Sequence, residues 1–173
     1  MAFVVEDGTG LSTSTSYVDL DYAEAFADSF FSDTDYTAWS EATDSSKERS
    51  LNRATQYIDR TYIFSGERTG NTQALEFPRD DCYDCLGNLI DDVPVLLKQA
   101  VCMAASRLLN STTALDPDVD RKTIREKIDT IDITYSEASG SLVRYTEMDN
   151  MLSQSCFVLR NRNRTVNVRL TQG

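Results

Sequence analysis

The chain has 173 residues, with 17 Lys plus Arg against 28 Asp plus Glu, no histidine, a formal charge of −11 and a sequence pI near 4.4. The length suits one domain large enough to bury a core without disulfide staples. The charge makes a surface that repels polyphosphate, and the missing histidine excludes Ser-His-Asp and Cys-His nucleophilic chemistry.

The opening "MAFVVEDGTG" has no basic n-region and no apolar run of signal-peptide length. No later stretch approaches the roughly 20 apolar residues of a membrane span. A soluble protein made in a cytoplasm is the expectation, and Cys82, Cys85, Cys102 and Cys156 are then expected as reduced thiols.

In chain order, the first predicted helix covers residues 18–31, where Ala23, Phe26, Ala27, Phe30 and Phe31 recur at three- and four-residue spacing behind Ser16 as cap. A second runs over residues 45–62, with Asp44 as N-cap and Leu51, Ala54, Ile58 and Tyr62 on one face. Opposite them Lys47, Arg49, Arg53 and Asp59 make a charged face that reads as solvated. Residues 65–93 follow as a long irregular loop, the kind that tends to be functional or interfacial.

The third helix begins near Pro94, and Leu97, Ala100, Val101, Ala104, Ala105 and Leu108 give it a stripe of small residues suited to a central position. Beyond it Ile124 and Ile128, then Ile131, Ile133 and Tyr135, predict a hairpin turning at Asp129 and Thr130. A short fourth helix is expected over residues 147–155, opened by Thr146, with Met148, Met151 and Leu152 inward. The fold class is therefore mainly α: a small bundle of about four helices with a β-hairpin insertion and an extended C-terminal arm. Residues 1–155 form the helical domain and residues 156–173 the basic arm.

That arm, "CFVLRNRNRTVNVRLTQG", holds Arg160, Arg162, Arg164 and Arg169 and no acid, so the remainder of the chain carries −15. Four phosphate contacts would give weak, strongly salt-dependent nucleic-acid binding, opposed by the acidic body. The arm fits an acidic protein surface better, or the acidic body of a neighbouring copy.

Other chemistries fail on their donors. Cys82 and Cys85 lack a second ligand pair for zinc, and Asp80, Asp81 and Asp84 beside them would raise, not lower, a redox thiol pKa. Asp116, Asp118 and Asp120 begin like a calcium loop, but Arg121 and Lys127 stand where Gly and Glu are needed. "DGTG" at residues 7–10 lacks the lysine of a phosphate loop. No carboxylate pair is singled out, so no enzyme, metal or cofactor is expected.

In order along the chain, "VVEDGTGLSTSTSYVDLDYAEAFA", "RATQYID", "QALEFPR", "GNLIDDVPVLLKQAV" and "ITYSE" resemble the signatures of tailed-phage head-tail connector proteins. Members of that family are also labelled single-stranded-DNA-binding proteins, by distant similarity to a primosomal replication protein. The resemblance covers about residues 3–152. It implies a helical adaptor in the virion neck, assembled as a dodecameric ring below the portal, joined to the next tail or neck protein, passing genomic DNA without specific binding and touching no membrane. Interface residues would be Arg160, Arg162, Arg164, Arg169 and Phe157 of the arm, and Phe77, Pro78, Arg79 and Tyr83 of the loop. The alternative is a single-stranded-DNA-binding replication accessory protein, against which the overall charge argues.

Overall fold

The computed structural model describes residues 2–110, 125–128, 131–134 and 146–161. Within them the chain forms helices α1 (Leu20–Phe30), α2 (Asp33–Glu41), α3 (Asp44–Thr61), α4 (Val95–Asn110) and α5 (Thr146–Ser153), and strands β1 (Tyr62–Phe64), β2 (Glu67–Arg68), β3 (Arg79–Asp80), β4 (Arg125–Ile128), β5 (Ile131–Thr134) and β6 (Val158–Asn161). The fold is mainly α with small two-stranded sheets, as the periodicity predicts.

Each of the first three helices starts where a short polar side chain replaces a missing backbone partner. Asp19 accepts from Tyr22 N, Ser32 from Asp35 N and Thr43 from Ser46 N. Ser16, expected as the first cap, is instead buried, its hydroxyl engaging the backbone of Val18. Helix α2 was not anticipated, because its only buried residue is Trp39 and no stripe announces it. Trp39 donates Nε1–H to Glu24 at 3.0 Å, and Lys47 sits 5.5 Å from its ring centroid while pairing with Glu24. Lys47 is thus a buried fastener between α1, α2 and α3, not part of a solvated face.

Helix α4 is the centre: α1, α2, α3 and α5 all pack on it. Its Ala100, Val101, Ala104 and Ala105 are fully buried or nearly so, and their small side chains admit the backbones of neighbouring helices closely. Pro94 opens the helix, its carbonyl accepting from Leu97 N and Lys98 N. The predicted hairpin is present, with Ile128 opposite Ile131; Ile124, the turn residues 129–130 and Tyr135 lie outside the described residues, as does the acidic 116–127 stretch up to Ile124.

The "DGTGL" start is a closed loop around one carboxylate. Glu6, 4% exposed, accepts from the backbone of Gly8, Gly10 and Leu11 and from the Ser14 hydroxyl. Gly8 has φ +90°, and a Cβ there would lie 2.9 Å from Asp92 Oδ1. Its role is to fix the N-terminal segment, with no anion-binding geometry required.

The C-terminal segment enters the body at its root. Phe157 is 3% exposed and packs with Phe64 and Phe77, at centroid distances of 6.5 and 5.9 Å. After it β6 pairs antiparallel with β1, Asn161 opposite Tyr62 and Arg160 opposite Ile63. Residues 162–173, the rest of the expected arm, lie outside the described residues.

The expectation of four reduced thiols is corrected for one pair. Cys85 and Cys156 form a disulfide across 71 residues of sequence, with Cα atoms 5.0 Å apart. Cys82 and Cys102 are free and buried. The two halves of the Cys-x-x-Cys motif therefore face different ways: Cys82 fills the core, while Cys85 reaches across to the root of β6.

Candidate nucleic-acid interface

Helix α3 buries Leu51, Ala54, Thr55 and Ile58 against the core. On its other side Arg49, Arg53, Gln56 and Arg60 are all exposed. Their spacing of four, three and four residues keeps them within a stripe roughly 60° wide, running about 16 Å along the helix at about 1.5 Å per residue. Among the described residues none of the three arginines forms an ion pair, and only Arg49 has a side-chain partner, the Ser45 hydroxyl at 3.5 Å.

Asp59, next to Arg60 in sequence, does not cancel this row. Asp59 turns inward, where its carboxylate accepts from the Tyr17 hydroxyl at 2.8 Å and from Glu76 N at 3.2 Å. Burial pushes its pKa up to about 7, against the opposing pull of those two hydrogen bonds. The same burial, with the Asp59 charge beside it, raises the Tyr17 phenol well above its ordinary value. Tyr17 in turn accepts from Phe77 N at 3.1 Å, so this pair fastens α3 to the Phe77 segment.

Sheet pairing brings β6 to the C-terminal end of α3. Tyr62 directly follows the last residue of α3, and its partner Asn161 ends β6. The chain therefore reaches the C-terminal end of α3, two residues past Arg60, immediately before Arg162 in sequence. Arg160 is on β6 itself, while Arg162, Arg164 and Arg169 lie outside the described residues.

The loop residues expected at an interface divide in two. Phe77 is fully buried, and Pro78, joined to it by a cis peptide bond, is buried as well. Arg79 is 9% exposed and clamps the β1–β2 turn: Nε donates to Ser65 O at 2.7 Å, one terminal nitrogen to Gly66 O at 2.7 Å, the other to Glu76 at 2.8 Å. Tyr83 alone of the four is exposed. Phe157, expected on the arm, meets Phe77 in the core.

Arg60 is the residue that the sequence reading passed over. Its signal was the eleven-residue step from Arg49, three helical turns that return to the same face. No group of three or more metal-ligating side chains occurs among the described residues. Among them, too, no helix is long and apolar enough to cross a membrane.

Compared with protein families, residues 1–173 match the model of the family described as putative DnaT-like ssDNA binding protein. No curated protein and no solved structure matches the chain. The full-length match corrects the connector assignment, and with it the ring, the portal and tail partners and the passive relation to DNA, since this family is described by single-stranded DNA binding. Net charge does not weigh against such binding as the sequence suggests, because it averages the whole chain, whereas phosphates meet a local surface, and one stripe of α3 exposes Arg49, Arg53 and Arg60.

Proposed function

Since the chain belongs to the family of putative DnaT-like ssDNA binding proteins, we propose that it binds single-stranded DNA through the arginine row of α3, as an accessory protein of replication. The observation that carries the reading is the row itself: Arg49, Arg53 and Arg60 exposed on one face without a carboxylate partner among the described residues. A strand laid along it would place successive phosphates near the guanidinium groups, which donate in a planar fork matched to phosphate oxygens.

Between the arginines the row carries Gln56 and no aromatic ring. Contact is then chiefly with the phosphate backbone, which gives weak base preference and strong salt dependence. The acidic remainder of the surface limits affinity and confines the strand to the basic path. On this reading the protein acts by binding, without a chemical step; the missing histidine excludes Ser-His-Asp and Cys-His arrangements.

Fluorescence anisotropy of a labelled oligothymidine across a salt series tests the reading. Saturable binding at low salt that weakens steeply as salt rises is expected. No binding at low salt, or binding indifferent to salt, would overturn it.

A further inference from the structure

Most of the exposed large apolar side chains among the described residues lie in one stretch: Tyr83, Leu86, Leu89, Val95 and Leu96, with Leu86 87% and Leu89 56% exposed. Scattered exposed leucines are ordinary, but a concentration of them on one short segment is not. The same segment, residues 80–97, contains five aspartates and no lysine or arginine.

The tip is built, not loose. Tyr83 and Leu89 face each other in an antiparallel bridge, which puts their side chains on one side. Asp84 closes the turn by accepting from Leu86 N, Asn88 N and Asn88 Nδ2, and those bonds hold its pKa below the usual value. Below the tip Cys82 is buried, and beside it Cys85 is bonded to Cys156. A loop held in this way loses little conformational freedom on docking.

At its base is an open cavity of about 300 Å³. Tyr83, Leu89 and Pro78 give it apolar walls, and Asp80, Asp81 and Asp91 give it carboxylates. Arg79 also borders it, but its guanidinium is already committed to Ser65, Gly66 and Glu76. A cavity with apolar walls and acidic corners matches one kind of occupant, a side chain with an aliphatic stem and a cationic head.

We propose that this loop is a docking site for a protein partner, which presents an apolar surface to Tyr83, Leu86 and Leu89 and inserts an arginine or lysine between Asp80, Asp81 and Asp91. The acidic border repels nucleic acid, so the site is separate from the basic row of α3 and opposite in charge. Charge complementarity selects the partner and speeds encounter; the leucines and Tyr83 supply the buried contact.

The probe is a blocked Leu-Arg-Leu peptide, titrated into the full-length protein while the methyl resonances of Leu86 and Leu89 are followed by NMR. Saturable shifts at these methyls are expected, weakened about tenfold by Asp81→Asn with Asp91→Asn and absent for the same peptide with Gln in place of Arg. Asn is tolerated at position 81, where φ is +53°, and Leu86→Ser removes an exposed side chain only. Equal shifts with the Gln peptide, binding unchanged by the Asp variants and by Leu86→Ser, or no shift at the solubility limit would each overturn the proposal. So would sedimentation showing a dimer that Leu86→Ser abolishes, because the tip would then be covered by a second copy.

Discussion

Asn161 pairs with Tyr62, the first residue beyond α3, so the strand that leads into the basic C-terminal residues ends where the arginine row of the helix ends. The two paired residues stand about a hundred positions apart in sequence. The pairing rests on β6 being held in place, and that depends on the residues just before it.

Phe157 is the first of these. With its ring enclosed by Phe64 and Phe77, Phe157→Ala should lower the unfolding free energy by about 3–5 kcal/mol, from lost transfer energy and the cavity left behind. Urea denaturation followed by Trp39 fluorescence checks this. A loss near zero would mean that the aromatic cluster does not hold the strand.

The disulfide is the second. Closing 71 residues with Cys85–Cys156 restricts the unfolded chain by an amount worth up to about 4 kcal/mol in the chain-entropy model. Cys85→Ser with Cys156→Ser should reduce stability by a sizeable part of that, and a thiol count on the denatured wild type without reductant should find two free thiols, Cys82 and Cys102. Burial pushes the Cys102 thiol up to about 12, so it should resist alkylation in the folded protein.

Asp59 makes stability depend on pH. Its folded pKa of about 7 lies above the ordinary 3.8, so the folded state holds a proton that the unfolded state releases between those values. Its contribution is therefore fully present below about pH 4 and is lost as pH rises through about 7. Tyr17, Glu76 and Arg68 are the ionisable groups acting on it, and burial outweighs them. Asp59→Asn removes the titration, so the melting temperature of the variant relative to wild type should rise between pH 5 and about 8. A constant difference across that range would contradict the assignment.

Much of this fold is legible in the sequence where an apolar stripe is long and capped. Helices α3, α4 and α5 start within a residue or so of their predicted positions, because Leu51 to Ile58 and Leu97 to Ala105 repeat at helical spacing. Helix α2 was illegible because one tryptophan and a serine cap make no period. Strands β1 and β6 are too short for alternation to show, so Tyr62 read as the end of a helix and Phe157 as part of a free arm. The Cys85–Cys156 bond joins distant residues and leaves no local trace. The binding row was half visible: Arg49 and Arg53 stood out as a charged face, but the face also held Asp59, and only its inward turn leaves the exposed stripe basic.

The central claim is tested most directly by the salt dependence of oligothymidine binding in wild type and in Arg49→Gln/Arg53→Gln/Arg60→Gln. All three side chains are exposed, so the variant should fold with an unchanged melting temperature. The account predicts that affinity falls at least tenfold and that the slope of log K against log salt becomes shallower by about 2 units, at about 0.7 per lost phosphate contact. An unchanged slope and affinity would show that single-stranded DNA does not lie along α3.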